Sequence, residues 1–443
     1  MKKKHIYIPI EIYVREINPK IIFAFKAALK NFRVYIGSKT GIDKIIDKKI
    51  KNNNRGGIYF YKSQIINNRK YIEKIKKSCE KFIVLDEELG VGVSNIKPAL
   101  NKRGKNLNDI DKFFVIGKKM MKELIEYDQN FKKISQISGW LKYDIYKNEN
   151  LNIFETEIRE IKKNYGNFYL FSSNYGALSE KGLRKRIKNN PILKKFKNSE
   201  NKSNDYYTFK QSINDFKYLK KKFFFFIKNN PEIKFVIRPH PADQMYNDWK
   251  IFEKFNNVKV INKYDIVPWV IASKGLIHRG CSSAIDAYFL KKPIFFFLPN
   301  RKLLKSEKNL TYKISNKIHD FESINFKNLK KKKFDLLINR EIYNKNTASN
   351  VILNELQKLN ITKEENISFN IFENFLNYFI PFCGKIKIFL KKRLLGSNYI
   401  RNTKLPYFIN IKTLIKKIKV LNTGKKKLII KKITREVFQI EKN

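Results

Sequence analysis

The chain has little cysteine, little tryptophan and few acids. Three cysteines, Cys79, Cys281 and Cys383, are spread over 443 residues. They are odd in number and lack CxxC spacing, so neither a disulfide framework nor a thiolate zinc site is supported. A reducing cytoplasm fits that usage. The 17 glycines and 12 prolines exclude collagen-like and linker-dominated chains. No run of about 18 uncharged apolar residues occurs, so a membrane-spanning helix is not expected. Met1 to His5 is basic but runs into a strand-like stretch with no apolar h-region, so no secretory signal is expected. Zinc fingers, basic zippers and RNA-binding aromatic signatures are missing too, and specific nucleic-acid recognition is not expected.

What is present is an apolar fraction of 42%, enough for a core, in a length that favours two domains or more. Lys and Arg number 94 against 40 Asp and Glu, a formal net charge of +54. Such a surplus either seeks an anionic partner or reflects a residue usage biased to Lys, Ile, Asn, Phe and Tyr. From Gly384 onward 18 basic residues face two acids, Glu436 and Glu441. Within that tail Lys385 to Leu395 reads as a basic amphipathic helix. It suits an anionic membrane face, on the inner side of the plasma membrane, or an ordinary packed surface.

Short apolar runs alternate with helical patterns through residues 1–150. Strands are expected at His5–Ile10, Phe32–Ile36, Gly57–Tyr61, Lys81–Leu85, Lys112–Ile116 and Ile134–Ser138, with a helix at Pro19–Lys30. A polar stretch, Lys147–Asn164, bridges to a second such series over residues 151–330. There strands are expected at Asn167–Ser172, Lys234–Arg238, Val258–Ile261, Gly275–His278 and Pro293–Leu298, and helices at Tyr206–Lys228 and Cys281–Leu290. The run Phe223–Phe226 is apolar on all sides and is expected to be buried. Residues 331–443 read as a helical, basic C-terminal extension. The pattern is α/β, two Rossmann-like lobes built of βαβ units.

Parallel sheets bind ligands beyond the carboxyl ends of their strands. Four places there carry chemistry. Arg238-Pro239-His240-Pro241 follows a strand, and its prolines hold His240 rigidly, fit to donate to a phosphate or act as an acid. His278-Arg279-Gly280-Cys281-Ser282-Ser283 is strand, glycine turn and helix start, an anion seat or a plain N-cap, with Asp286 one turn further in. Glu11, with Arg15 and Glu16, follows the first strand, as a general base or as helix-start charge. Asp86-Glu87-Glu88 crowds three acids at another strand end, as a base, an acceptor contact, a divalent-metal ligand or a solvated loop.

In this order the segments resemble a family of bacterial surface carbohydrate biosynthesis proteins with the GT-B glycosyltransferase architecture. The matching residues are Tyr7-Ile8-Pro9-Ile10-Glu11 with Arg15-Glu16, Gly57-Ile58-Tyr59 with Lys62-Ser63, and Leu85-Asp86-Glu87-Glu88. Further along they are Phe235-Val236-Ile237-Arg238-Pro239-His240-Pro241, Val267-Pro268-Trp269, His278 to Ser283, and Lys292-Pro293. The resemblance implies two lobes with a cleft between them and no cofactor or metal. It implies a nucleotide-sugar donor, CMP- or NDP-linked, on Arg238, His240, His278, Gly280, Ser282, Ser283 and Asp286. It implies a glycan or lipid-linked glycan acceptor near Arg15, Glu16, Asp86 and Glu88. Glu11, Glu87 and His240 are the expected catalytic groups. The activity implied is sugar transfer in lipopolysaccharide or capsule synthesis; a CDP-alcohol phosphotransferase of teichoic-acid type shares the pattern. A non-catalytic basic protein on membrane or nucleic acid is the remaining alternative. In place of the family's Gly-Asn-Pro-Arg-Phe-Asp segment the chain reads Gly139-Trp140-Leu141-Lys142-Tyr143-Asp144.

Overall fold

The fold is a computed structural model. It describes residues 1–62, 69–86, 107–173, 204–239, 249–261, 263–304, 307–326, 334–343, 345–370 and 411–443, and also Leu89, Ile96, Lys97, Leu100 and Glu373. The chain divides into two units. The first holds residues 1–153 with 335–400 and 404–443, and the second holds residues 154–334 with 401–403. Each is α/β and Rossmann-like.

In unit 1 the strands β1 (Lys4–Ile10), β2 (Phe32–Ser38), β3 (Ile58–Tyr61), β4 (Lys81–Leu85), β5 (Lys112–Val115) and β6 (Ser135–Ile137) pair in parallel in the order 2-1-3-4-5-6. Both faces of such a sheet are covered, and β1, β3 and β4 accordingly read as nearly continuous buried runs. Helix α1 (Tyr13–Leu29) begins six residues before the sequence pattern does and takes Pro19 inside it. Its start is held by the Glu16 side chain, which accepts the backbone N–H of Glu11 and of Ile12, both at 3.1 Å.

The C-terminal residues carry the helices Asp335–Glu341, Ala348–Lys358 and Ile411–Leu421, and end in strands. The last two strands of the chain, β13 (Leu428–Lys432) and β14 (Val437–Lys442), form an antiparallel hairpin that adds to β2 at the edge of the first sheet. The expectation of helix fails there because β14, with Phe438 and Ile440 at strand spacing, is made a strand by its pairing with β2, and β13 by its pairing with β14. Within the region expected to be helical, Phe334–Leu359 is not one helix but is broken where the Tyr343 N–H bonds the Ile116 carbonyl at 2.7 Å. The helix that resumes beyond the break, Ala348–Lys358, is anchored by Asp144, whose carboxylate takes the N–H groups of Ala348 and Ser349 at 2.7 and 2.8 Å. Residues Lys385–Leu395 lie outside the described residues.

Beneath this sheet sits a buried ionic cluster. Glu364 accepts from Lys49 and from the Tyr7 hydroxyl (3.3 Å), and lies 3.3 Å from His5 Nδ1. Arg33 reaches Glu441 at 3.0 Å and His5 Nε2 at 3.2 Å, and Lys3 joins Glu441 at 2.9 Å. Burial, with Lys49 and Arg33 nearby, lowers the His5 pKa to about 2, so the ring is neutral. The arginine donates to Nε2, so Nδ1 carries the proton. Gly57 sits against Glu364 with φ of +76°; a Cβ there would lie 2.8 Å from the carboxylate.

Unit 2 carries a parallel sheet of β7 (Tyr169–Ser172), β8 (Phe235–Arg238), β9 (Val258–Val260), β10 (Leu276–His278), β11 (Ile294–Phe297) and β12 (Asn316–Ile318). Their order, 12-11-10-7-8-9, is that of a dinucleotide-binding sheet. The long helix Asn204–Asn229, α2 here, places Phe216, Leu219, Phe223 and Phe226 at three- and four-residue spacing onto Phe171, Phe235 and Trp249. The four-phenylalanine run is therefore not buried throughout: Phe223 and Phe226 are inside, while Phe225 is 51% exposed, because a helix can turn only one face to the sheet. No helix among the described residues is long and apolar enough to cross a membrane.

Removing the carboxylate from the ionic cluster leaves Lys49 buried without its counter-charge, which typically costs about 3–5 kcal/mol. Glu364→Ala should accordingly lower the unfolding free energy of unit 1 by that order, seen as a lower denaturant midpoint. A midpoint equal to that of the parent would mean that the cluster does not hold the C-terminal segments.

Candidate functional site

Each sheet reverses direction once, and a crevice opens at the carboxyl ends of the two strands where it does so. In unit 1 these strands are β1 and β3. Glu11 follows β1 directly. The last residue of β3, Tyr61, donates its hydroxyl to Glu11 Oε1, and the next residue, Lys62, lies 3.1 Å from Oε2. Lys62 also meets Glu16 at 3.0 Å, and Glu16 meets Lys20 at 2.9 Å, whose ammonium bonds the Pro9 carbonyl at 2.9 Å. Burial alone would raise the Glu16 pKa, but Lys20, Lys62 and two backbone N–H groups bring it down to about 2.

Glu16, expected on the acceptor side, is thus a buried positioning residue with four donors on it. Glu11 is the open end of this cluster, with its side chain 32% exposed. Tyr61 as a partner was not legible in the sequence. Its hydroxyl reaches Glu11 only through the β1–β3 pairing, which sets Tyr7 opposite Tyr59. Burial and the adjoining Glu11 raise the Tyr61 pKa, so it remains a donor. Asp86 is buried and accepts the Leu89 N–H at 2.9 Å, an occupation with its own turn. Glu87 and Glu88 lie outside the described residues, and Arg15 is exposed on the first turn of α1.

In unit 2 the reversal lies between β7 and β10. Register sets His278, Ser172 and Arg238 in one row across β10, β7 and β8. Arg238 is buried, and its terminal nitrogens donate to the Asp265 and Tyr264 carbonyls, both at 2.8 Å, beside the Trp269 ring. Its Nε has no partner. Burial pulls its pKa down to about 10. No carboxylate among the described residues forms an ion pair with it. On the neighbouring turn Gly280 takes φ of +74°, the left-handed conformation that a glycine adopts freely. Ser282 is exposed and makes no capping bond, and the buried Ser283 hydroxyl has no partner. A buried guanidinium with a spare N–H stands at the end of β8, and an unpartnered hydroxyl and an exposed one follow β10, the two strands that flank β7.

His278 has a different part from the pocket-lining one expected of it. Its Nδ1 accepts the Cys281 N–H at 3.2 Å, and its Nε2 faces the Ser315 hydroxyl at 2.9 Å. Both nitrogens are engaged, so the ring braces the glycine turn. Burial and then Arg279 lower its pKa to about 3. Asp286 is fully buried in the helix Ser283–Phe289 and is not at the surface of the crevice. Sequence reasoning also missed a charge square behind the turn. Arg301 spans Asp215 (2.7 Å) and Glu307 (2.8 Å), and Arg279 reaches Glu307 at 2.6 Å and Asp215 at 3.3 Å. It ties α2, the turn after β10 and the loop after β11 together. His240 lies outside the described residues. Among the described residues no three His, Cys, Asp or Glu side chains are grouped to hold a metal ion.

No protein-family model matches the sequence, and no curated protein matches it. Among solved structures, the chain is similar to UDP-GlcNAc 2-epimerase from Methanocaldococcus jannaschii, solved with UDP-GlcNAc and UDP. The identity is 11% and the TM-score 0.46, over 81% of this chain and 99% of that one. It is similar to the wall teichoic acid polymerase TagF at 14% identity and a TM-score of 0.46, over 80% and 89% of the two chains. A pneumococcal O-GlcNAc transferase, GtfA, solved with UDP and GlcNAc, is similar at 10% identity and a TM-score of 0.32, over 60% and 46%. No residue role passes from them to this chain.

His278 in unit 2 and His5 in unit 1 are both neutral when folded and titrate near 6.5 when unfolded. Their folded pKa values are depressed, so the unfolded chain binds the extra protons and stability falls as pH drops below about 6.5. From pH 7 to pH 5 each should cost about 2 kcal/mol. Guanidinium denaturation of His278→Gln at the two pH values should show unit 2 losing less stability on acidification than in the parent; an equal loss would place the titration elsewhere.

Proposed function

We propose that the chain is a transferase that moves a sugar from a nucleotide-activated donor to a hydroxyl of a surface polysaccharide or lipopolysaccharide acceptor, free or lipid-linked. The observation that carries this is the charge imbalance at the reversal of the second sheet. Among the described residues Arg238 is a buried cation hydrogen-bonded by carbonyls, near Asp265 but in no ion pair with a carboxylate, and a buried charge without a paired counter-charge is costly. A phosphate there supplies the missing charge, with Ser282 and Ser283 as donors beside it and the Gly280 backbone letting the phosphate approach closely. The order of strands supports a nucleotide at the same place. His240, two residues past Arg238, is proposed as a further phosphate contact. His278 and Asp286 serve by holding the turn.

In the reaction the acceptor O–H gives its proton to the Glu11 carboxylate. The oxygen forms a bond to the anomeric carbon, and the bond from that carbon to the nucleotide phosphate breaks. The nucleotide leaves with the electron pair. Arg238 and the two serines neutralise the charge that grows on it, which is where fixed donors act most strongly. Tyr61 and Lys62 hold Glu11 in place from either side. Glu87, Glu88 and Arg15 are proposed on the acceptor side, and the basic segment Lys385–Leu395 as a contact with the inner membrane face. Several roles that the motifs share with phosphotransfer remain distinguishable by product, since a CDP-alcohol donor would add a phosphoalcohol mass to the acceptor instead of a sugar.

Thermal shift against CMP, CDP, UMP, UDP, GDP and ADP tests the donor seat. The matching nucleotide at a hundredfold excess over its Kd should add about 2.7 kcal/mol of stability. Ser282→Ala/Ser283→Ala should weaken that nucleotide at least about tenfold, as loss of hydrogen bonds to a charged group does. A response to every polyanion alike, kept in the double variant, would overturn the reading. Glu11→Ala should cut transfer by about 10²–10⁴ and leave nucleotide binding intact; undiminished turnover would remove Glu11 as the base.

A further inference from the structure

One exposed surface of unit 2 has no part in either crevice. Helix α2 turns Phe216, Leu219, Phe223 and Phe226 to the sheet. Its opposite stripe is Lys217, Lys221, Phe225 and Lys228, again at three- and four-residue spacing and exposed throughout. No acid occurs from Phe216 to Asn229. Next to the helix lies the short turn Ile251–Lys254, where Ile251 is 54% exposed.

The two elements join through aromatic rings. Phe225 lies 5.9 Å from Phe224, and Phe224 lies 5.2 Å from Phe255, edge to face. Lys254 covers that junction, 4.6 Å from the Phe224 ring and 5.4 Å from the Phe255 ring. Lys250 and Lys254 are exposed beside it. The acid in this turn, Glu253, accepts the Val260 N–H at 3.1 Å. An apolar ribbon, Phe225-Phe224-Phe255 with Ile251, is thus edged by lysines.

We propose that this face docks on an anionic lipid bilayer, with Phe225 and Ile251 entering the boundary between headgroups and acyl chains and the lysines meeting lipid phosphates. Lysine stems lie along apolar surface while their ammonium groups stay at the polar level, the arrangement such a boundary accommodates. A single-stranded polynucleotide would stack its bases on rings, and Ile251 offers none; the cations are lysines, not the arginines that read phosphates in pairs. A second copy of the chain would bring like charges together. The proposal does not rest on the transferase reading, since it concerns a different face and needs no turnover.

Sedimentation of the full chain with vesicles tests it, using phosphatidylcholine alone and phosphatidylcholine with phosphatidylglycerol in equal parts. The chain should bind the anionic vesicles only, and less as salt rises. Phe225→Ser/Ile251→Ser should weaken binding at least about tenfold through the lost apolar contact. Lys221→Gln/Lys228→Gln should weaken it about fivefold per lysine. Phe225→Trp adds a local reading, because Trp140, Trp249 and Trp269 are all buried. Its emission should shift to the blue with anionic vesicles and stay unchanged with neutral ones. A parent that ignores anionic vesicles overturns the proposal. So do serine variants that bind as the parent does, which would move the contact to another basic segment, and an emission that does not shift.

Discussion

The constraint on which the rest depends is the single reversal of strand order in each parallel sheet. Crossover helices cover the faces of such a sheet, and at the reversal the connections leave in opposite directions, so the strand ends between them stay open. Among the described residues the candidate groups gather at those two places. Glu11, Tyr61 and Lys62 meet at the ends of β1 and β3. Arg238, Ser172 and His278 fall in one row at the ends of β8, β7 and β10. Backbone pairing, more than any local motif, brings these side chains together.

Charge balance then separates supporting groups from working ones. Glu11 and Glu16 are matched by Lys20 and Lys62, and Asp215 and Glu307 by Arg279 and Arg301. Buried ions that are paired and hydrogen-bonded fix geometry. Arg238 breaks the pattern, with carbonyls in place of a carboxylate. The same rule explains His278 and His5, whose rings are kept neutral by burial beside cations and so act as fixed hydrogen-bonding braces.

The excess of lysine is partly structural. Lys20, Lys49, Lys62 and Lys417 are all buried, each on a carboxylate or a carbonyl. Lys417 donates to the Ile153 carbonyl at 3.0 Å and fastens the helix Ile411–Leu421 to unit 1. A chain short of arginine has used the long lysine stem where an interior cation was needed. On α2 the lysines instead stand outside, around an exposed phenylalanine, where burial has no claim on them.

The sequence by itself determined the alternation of strands and helices. Strands covered on both faces must be continuous apolar runs, and β1 to β5, β7, β8 and β11 were legible for that reason. It also marked the strand ends at Glu11, Arg238 and Gly280 to Ser283. Tertiary structure alone decided what the side chains there do. Glu16, Asp86 and Asp286 look from the sequence like site groups, and burial makes them internal supports. Tyr61 and Asp215 carry no local signal, since Tyr61 meets Glu11 50 residues away and Asp215 meets Arg279 and Arg301 64 and 86 residues away, in unrelated elements. The hairpin β13–β14 was illegible for the same reason: its strand character comes from hydrogen bonds to β2, some 400 residues earlier, and a residue's own neighbours do not record the partner that folding brings to it.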